Sequence, residues 1–136
     1  MCLQGASVAG HDLILALAER GLRSFYVWTP VLDGDDRDAA VAAAGQREHA
    51  AASHYWDTNG DFALALAGPL GLTPVETPSP RSPLAIAWDV YLTYPPGDQR
   101  LFAPSSWMCQ LPTKKAPRLD AADFRTTVEK LLPPTP

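Results

Sequence analysis

The sequence predicts an α/β fold, and three observations carry that prediction. A β-branched and aromatic run, Ser24 to Leu32, lies between two segments of helical composition. The stretch Leu84 to Tyr94 alternates with a period of two, and the chain closes on a segment that places Phe124, Val128, Leu131 and Leu132 on one helical face. The expected order is α, β, α, short α, β, β, α. It contains no repeat and reads as one domain over 1–132, followed by a disordered proline-rich tail, 133–136.

The first helix is expected from Ala6 to Arg20. Val8, Leu13, Leu15, Leu17 and Ala18 sit there among good helix formers, and Gly21 stands where a helix commonly stops. The strand that follows, Ser24-Phe25-Tyr26-Val27-Trp28-Thr29-Pro30-Val31-Leu32, should end near Pro30. It is apolar on both faces, which is the pattern of a central strand.

Asp33-Gly34-Asp35-Asp36 turns the chain and caps a second helix, Arg37 to about Ala52, whose thin apolar stripe predicts packing at the edge of the fold. His54-Tyr55-Trp56-Asp57 reads as a short extended piece. Asp61 to Leu70 reads as a short helix ended by Pro69-Leu70-Gly71. Thr73 to Pro83, with four prolines and two serines, is an expected surface loop.

Leu84 to Tyr94 is the clearest strand, with Ile86, Trp88, Val90, Leu92 and Tyr94 alternating against Ala85, Ala87, Asp89, Tyr91 and Thr93. Pro95-Pro96-Gly97-Asp98 is a turn signal, and Gln99 to Ala103 is the expected return arm of a hairpin. Pro104 to Pro112 then reads as a loop carrying Trp107 and Met108. A capped helix from Leu119 or Asp120 to Leu132 closes the domain.

Composition excludes several classes. At 136 residues a domain buries about two thirds of the surface its unfolded chain exposes, enough for one core. The 46% hydrophobic and 19% charged fractions are those of a soluble globular protein, and no apolar run approaches a membrane span. A net charge of −4 with scattered Lys and Arg offers no basic field to nucleic acid. No charged region followed by an apolar one opens the chain, so a cytoplasmic location is expected as the sequence stands, although an oddly placed start would conceal a leader.

Two cysteines, Cys2 and Cys109, allow one intramolecular disulfide, which their separation in sequence neither favours nor forbids. No CxxC is present, and His11, His49 and His54 join the cysteines in no recognised ligand spacing, so no metal and no cofactor is expected. Asp57-Thr58-Asn59-Gly60-Asp61 has the acidic alternation of a calcium loop, but its glycine comes one position early and Gly68 stands where a glutamate should. A solvated turn is the better reading. Asp33, Asp35 and Asp36 fit a magnesium or phosphoacceptor site and equally fit ordinary caps. Ser105 and Ser106 lack a nucleophile elbow, and no glycine-rich phosphate loop occurs.

Cys2 at the start of the first helix, followed by this element order, resembles the thioredoxin-like fold. The runs "FYVWTPVLDGDD", "HYWD" and "AWDVYLTYPPG…SSWMCQL" are more closely similar to a group of uncharacterised bacterial thioredoxin-like proteins. The resemblance implies a mixed sheet of three to four strands flanked by helices, and a CxxC between the first strand and first helix. This chain departs from that pattern twice. Its first strand is absent and only Cys2, with Gly5 after it, remains of the motif, at the resolving position. Trp88-Asp89 stands where thioredoxins carry a cis-proline.

In a sheet of this order Cys2, Trp28-Thr29-Pro30, Trp88-Asp89 and Trp107-Met108-Cys109 should gather at one edge, forming an aromatic-lined pocket with two thiols and a carboxylate. The alternative is that Trp28, Trp88 and Trp107 are core residues and Cys109 is inert. The function expected from the resemblance is degenerate or weak thiol–disulfide exchange. An upstream cysteine would attack, Cys2 would resolve and Asp89 would assist proton transfer, with a protein or small thiol as partner. Two other classes stand beside it: a non-catalytic binding domain on the same scaffold, and soft-metal binding through Cys2, Met108 and Cys109. Loss of a strand would expose unpaired backbone and makes homo-oligomers an expected consequence.

Overall fold

A computed structural model of the chain describes residues 3–134. The molecule opens on a continuous helical segment made of α1 (Leu3–Ala6), a π-helical turn (Ser7–His11), α2 (Asp12–Leu17) and a 3-10 turn (Ala18–Arg20). Gly21, at φ 92°, ends it in the left-handed region that glycine adopts without steric cost. The helix therefore begins three residues before the expected Ala6, and it carries a π turn that no sequence signal announces.

β1 (Ser24–Trp28) and β2 (Ala52–Trp56) form a parallel pair with Tyr26 opposite His54 and Trp28 opposite Trp56. α3 (Arg37–Gly45) connects them, capped by the Asp36 carboxylate, which accepts the Ala39 N–H at 2.8 Å. The expectation that this helix reaches Ala52 is corrected: it stops at Gly45, and Ala52 already belongs to β2. The buried Arg47 turns back there, donating to the Ala43 carbonyl and to Ser7 Oγ, both at 2.9 Å.

α4 (Asp61–Ala67) follows, and then a long irregular segment leads to β3 (Val90–Thr93), which pairs antiparallel with β4 (Ser106–Cys109). Two expectations fail here. The strand foreseen over Leu84 to Tyr94 is regular only from Val90. Before that point Ile86 N–H is taken by Thr77 Oγ1 and Ala87 N–H by the Ala63 carbonyl, and Asp89 at φ 52° breaks the extended backbone. The return arm is Ser106–Cys109, in the stretch read as a loop, while Gln99 to Ala103 forms turns closed by Leu101 N–H on Gln99 and Ala103 N–H on Arg100. α5 (Ala121–Leu131) closes the chain under Asp120, whose carboxylate accepts the Ala122 and Asp123 N–H groups. The tail is described only through Pro134, and Pro133 accepts a hydrogen bond from Arg20.

The β3–β4 pair is the middle layer. One face, with Val90, Leu92, Trp107 and Cys109, packs on Leu66 and Ala67 of α4 and on Leu70, Leu72 and Leu111. The other, with Tyr91 and Met108, packs on Leu13 and Leu17 of α2 and on Phe124 and Val128 of α5. The expected single mixed sheet is instead two separate two-stranded sheets within a mixed α/β architecture. The expectation of a central β1 is likewise corrected among the described residues. β1 pairs only with β2, and Phe25 (67% exposed), Val27 and Tyr55 form an uncovered face. No described helix is long and apolar enough to cross a membrane.

Candidate functional site

Cys2 lies outside the described residues. Of the others, Trp88, Trp107 and Cys109 come together: both indoles pack, partly buried, against the core in which Cys109 is completely buried. The Cys109 thiol sits 3.9 Å from the Leu111 carbonyl, and burial pushes its pKa up, which disfavours the reactive thiolate. Asp89 immediately precedes β3 in a left-handed conformation that Asp tolerates better than most residues, and its carbonyl accepts the Gln110 N–H at 3.0 Å. Trp28 and Pro30 are buried elsewhere, Trp28 in a separate cluster with Ala40 and Ala43 of α3. Trp88, Trp107 and Cys109 thus share one hydrophobic core, the arrangement of the alternative reading, and Trp28 is not part of it.

Met108 and Cys109 point to opposite faces of β4, as adjacent strand residues must. That separates the thioether from the thiol. Among the described residues no group of three or more His, Cys, Asp or Glu side chains is placed to hold a metal ion.

Asp57 shows why the calcium-loop pattern arises. Its Oδ1 accepts the Phe62 N–H (3.2 Å), and its Oδ2 accepts the Ala63 N–H (3.1 Å) and the Thr29 hydroxyl (3.4 Å). The carboxylate satisfies the first donors of α4 and ties that helix to the end of β1. Asp35 does similar work in the preceding turn. Burial opposes its ionisation, but its pKa stays below the ordinary value, with the hydrogen bonds from the Leu32 and Val31 N–H groups among the causes.

One cluster is not apparent from any motif. Tyr26, Trp28 and His54 lie with parallel rings on the helix-covered face of β1 and β2, Tyr26 and His54 centroids 4.6 Å apart. Trp28 Nε1–H donates to His54 Nδ1 at 3.3 Å. His54 Nε2 and the Tyr26 hydroxyl are buried and have no hydrogen-bond partner among the described residues. Burial raises the Tyr26 pKa, opposed by the charge of Arg47 and reinforced by Asp12. A shallow depression lined by Glu48, His49, Ala50, Ala52 and His54 opens beside it. The available signal is the two-residue spacing in "YVW" and "HYW", which places Tyr26 with Trp28, and His54 with Trp56, on one face of each strand.

The chain matches no protein-family model, no curated protein and no solved structure.

Proposed function

We propose that this chain is a degenerate thioredoxin-like domain, and that it binds an extended segment of a protein partner between β1 and β3. The observation that carries the reading is how the N-terminal helical segment rests on both sheets. A Cβ at Gly5 would overlap the hydroxyl of Tyr91 in β3, and one at Gly10 would overlap that of Tyr26 in β1. Gly5 lies in α1 and Gly10 in the π-helical turn, so the two tyrosines meet the segment at successive points along it.

Backbone polarity agrees with this. Ser24 N–H and the Trp28 carbonyl pair with the β2 side, so alternation turns the N–H and C=O groups of Phe25 and Val27 outward. The Asp89–Gln110 bond similarly turns those of Val90 and Leu92 away from β4. Strand addition to such edges takes affinity from main-chain hydrogen bonds and specificity from alternate side chains. The same edges support self-association.

The test is peptide selection from a random displayed library, followed by hydrogen exchange. Selected peptides should be apolar at alternate positions and should protect the amides of Phe25, Val27, Val90 and Leu92. Protection confined to other amides refutes strand addition. Protection that rises with protein concentration and needs no peptide assigns the edges to self-pairing.

A second reading keeps a single-thiol chemistry for Cys2. It rests on the resemblance of the opening residues, Cys2 with Gly5, to the resolving half of a redox motif. Cys109, sealed in its core, would not be its partner, leaving the disulfide of a small thiol in that role. Exchange with glutathione disulfide, which forms a mixed disulfide at Cys2 and releases one glutathione thiolate, tests it when mapped by mass, and a Cys2 that stays unmodified removes it.

A further inference from the structure

We infer that the Trp28–His54 hydrogen bond is a pH-sensitive latch that holds α3 and the start of the N-terminal helical segment on β1 and β2. The indole Nε1–H only donates, so His54 Nδ1 must carry a lone pair and the neutral ring bears its hydrogen on Nε2. When a solvent proton adds to Nδ1, that lone pair is consumed and two N–H groups face each other. The bond then cannot form, and a half-buried imidazolium lies beside the Tyr26 and Trp28 rings.

The consequence passes through Trp28, which is 7% exposed and packs on Ala40 and Ala43 of α3, with Ala6 against the same cluster. An indole that turns away from His54 loses this seat. Arg47, just beyond α3, is joined to Ser7 in the N-terminal segment, so both elements share the disturbance. The charged and titratable groups of the cluster are Tyr26 on β1, Asp12 on the N-terminal segment and Arg47 after α3, whose charges act on Tyr26, and Glu48 and His49, which line the depression with His54. Histidine is the side chain that ordinarily changes charge between pH 5 and 8. The latch is independent of the peptide-binding reading, since it involves the covered face of β1 and not its free edge.

The experiment follows the four indole N–H resonances by NMR from pH 8 to pH 5, with Trp28 assigned from Trp28→Phe. The Trp28 indole should shift along a one-proton curve, and its hydrogen exchange, corrected for the intrinsic effect of pH, should accelerate about tenfold, the order expected for loss of one hydrogen bond. His54→Gln retains an acceptor without a titrating proton and should leave the resonance flat, whereas His49→Gln and His11→Gln should preserve the response. The wild-type His54 nitrogen shifts at pH 8 give an independent reading and should show Nδ1 unprotonated. A flat wild-type Trp28 signal, a response that survives His54→Gln or vanishes with His49→Gln or His11→Gln, or a protonated Nδ1 at pH 8 overturns the inference.

Discussion

Met108 and Cys109 are neighbours in β4 and are buried in different cores, Met108 against α2 and α5 and Cys109 against α4. The β3–β4 hairpin is therefore covered on both sides although it has only two strands. Most of the tightly buried apolar surface, including Leu66, Leu13 and Phe124, depends on it. The parallel β1–β2 pair, in contrast, is covered on one face only, and Phe25, Val27 and Tyr55 are exposed on the other.

The burial of Cys109 leads to a chemical prediction. In the folded protein Cys109 should resist iodoacetamide, and it should react once urea unfolds the chain. Cys109→Ser should lower the unfolding free energy by about 1–3 kcal/mol, and more than Cys109→Ala does, because a hydroxyl there is desolvated and the Leu111 carbonyl is too distant to compensate. Urea midpoints at unchanged m-value measure both. Equal losses for the two variants would mean that water reaches the site.

The glycines that let the N-terminal segment approach the sheets predict a contrast of sign. Gly5→Ala and Gly10→Ala should each destabilise by about 1–3 kcal/mol, since the added methyl meets a tyrosine hydroxyl and the ring carbon behind it at 2.6 Å. Gly45→Ala, at the end of α3 with nothing within 4 Å, should stabilise by about 0.4–1 kcal/mol through the unfolded chain's lost freedom. Thermal unfolding of the three variants checks this. A neutral Gly5→Ala would show that the helix can lift from Tyr91.

Glu76 predicts a pH dependence. Its carboxylate accepts from Thr73 (N–H 2.9 Å, hydroxyl 2.7 Å), the Thr113 hydroxyl at 2.8 Å and Lys115 Nζ at 3.1 Å. These bonds, Thr73 first, lower its pKa from 4.5 to about 2. A depressed carboxylate contributes stability that is complete above its unfolded value and is lost as pH falls through the folded one, here between about 4.5 and 2. Unfolding of Glu76→Gln followed from pH 7 to 2 should lose part of that slope and converge with the wild type at the acid end. Asp98, held at about 2 by Arg100, should sustain the remainder. Parallel curves for variant and wild type would refute the assignment.

Local chemistry is legible in this sequence where one residue type has one physical use. Asp36 and Asp120 before helical runs, Gly21 after one and Pro95-Pro96-Gly97-Asp98 all fall where the caps and turns stand, with Gly97 at φ 79°. What alternation cannot reveal is which backbone groups find partners. Leu84 to Asp89 has the strand period, yet Thr77 and Ala63 capture the amides of Ile86 and Ala87. Ser106 to Cys109 lacks a strand's turn signals but gains Val90 to Thr93 as its partner. The candidate site divides along the same line. Tryptophan and cysteine mark themselves as notable residues, but whether Cys109 faces solvent or core depends on its parity in β4, and His54 gains its partner only across the β1–β2 pair.

Asp57 offers a test that separates a cap from a calcium ligand. With both oxygens engaged by the Phe62 and Ala63 N–H groups and by Thr29, Asp57→Ala should cost about 1–2 kcal/mol, the range for losing a helix cap. Asp57→Asn keeps one acceptor oxygen and should fall between the wild type and Asp57→Ala. Because the loss frees Thr29 as well as α4, amide exchange should quicken at Phe62 and Ala63 and also at Asp57 itself, whose N–H closes the β1–β2 ladder on the Trp28 carbonyl. Millimolar calcium should leave the unfolding temperature of the wild type unchanged, since binding would have to displace those N–H donors. A calcium-dependent rise that disappears in Asp57→Asn would make the loop a cation site and the cap its empty form.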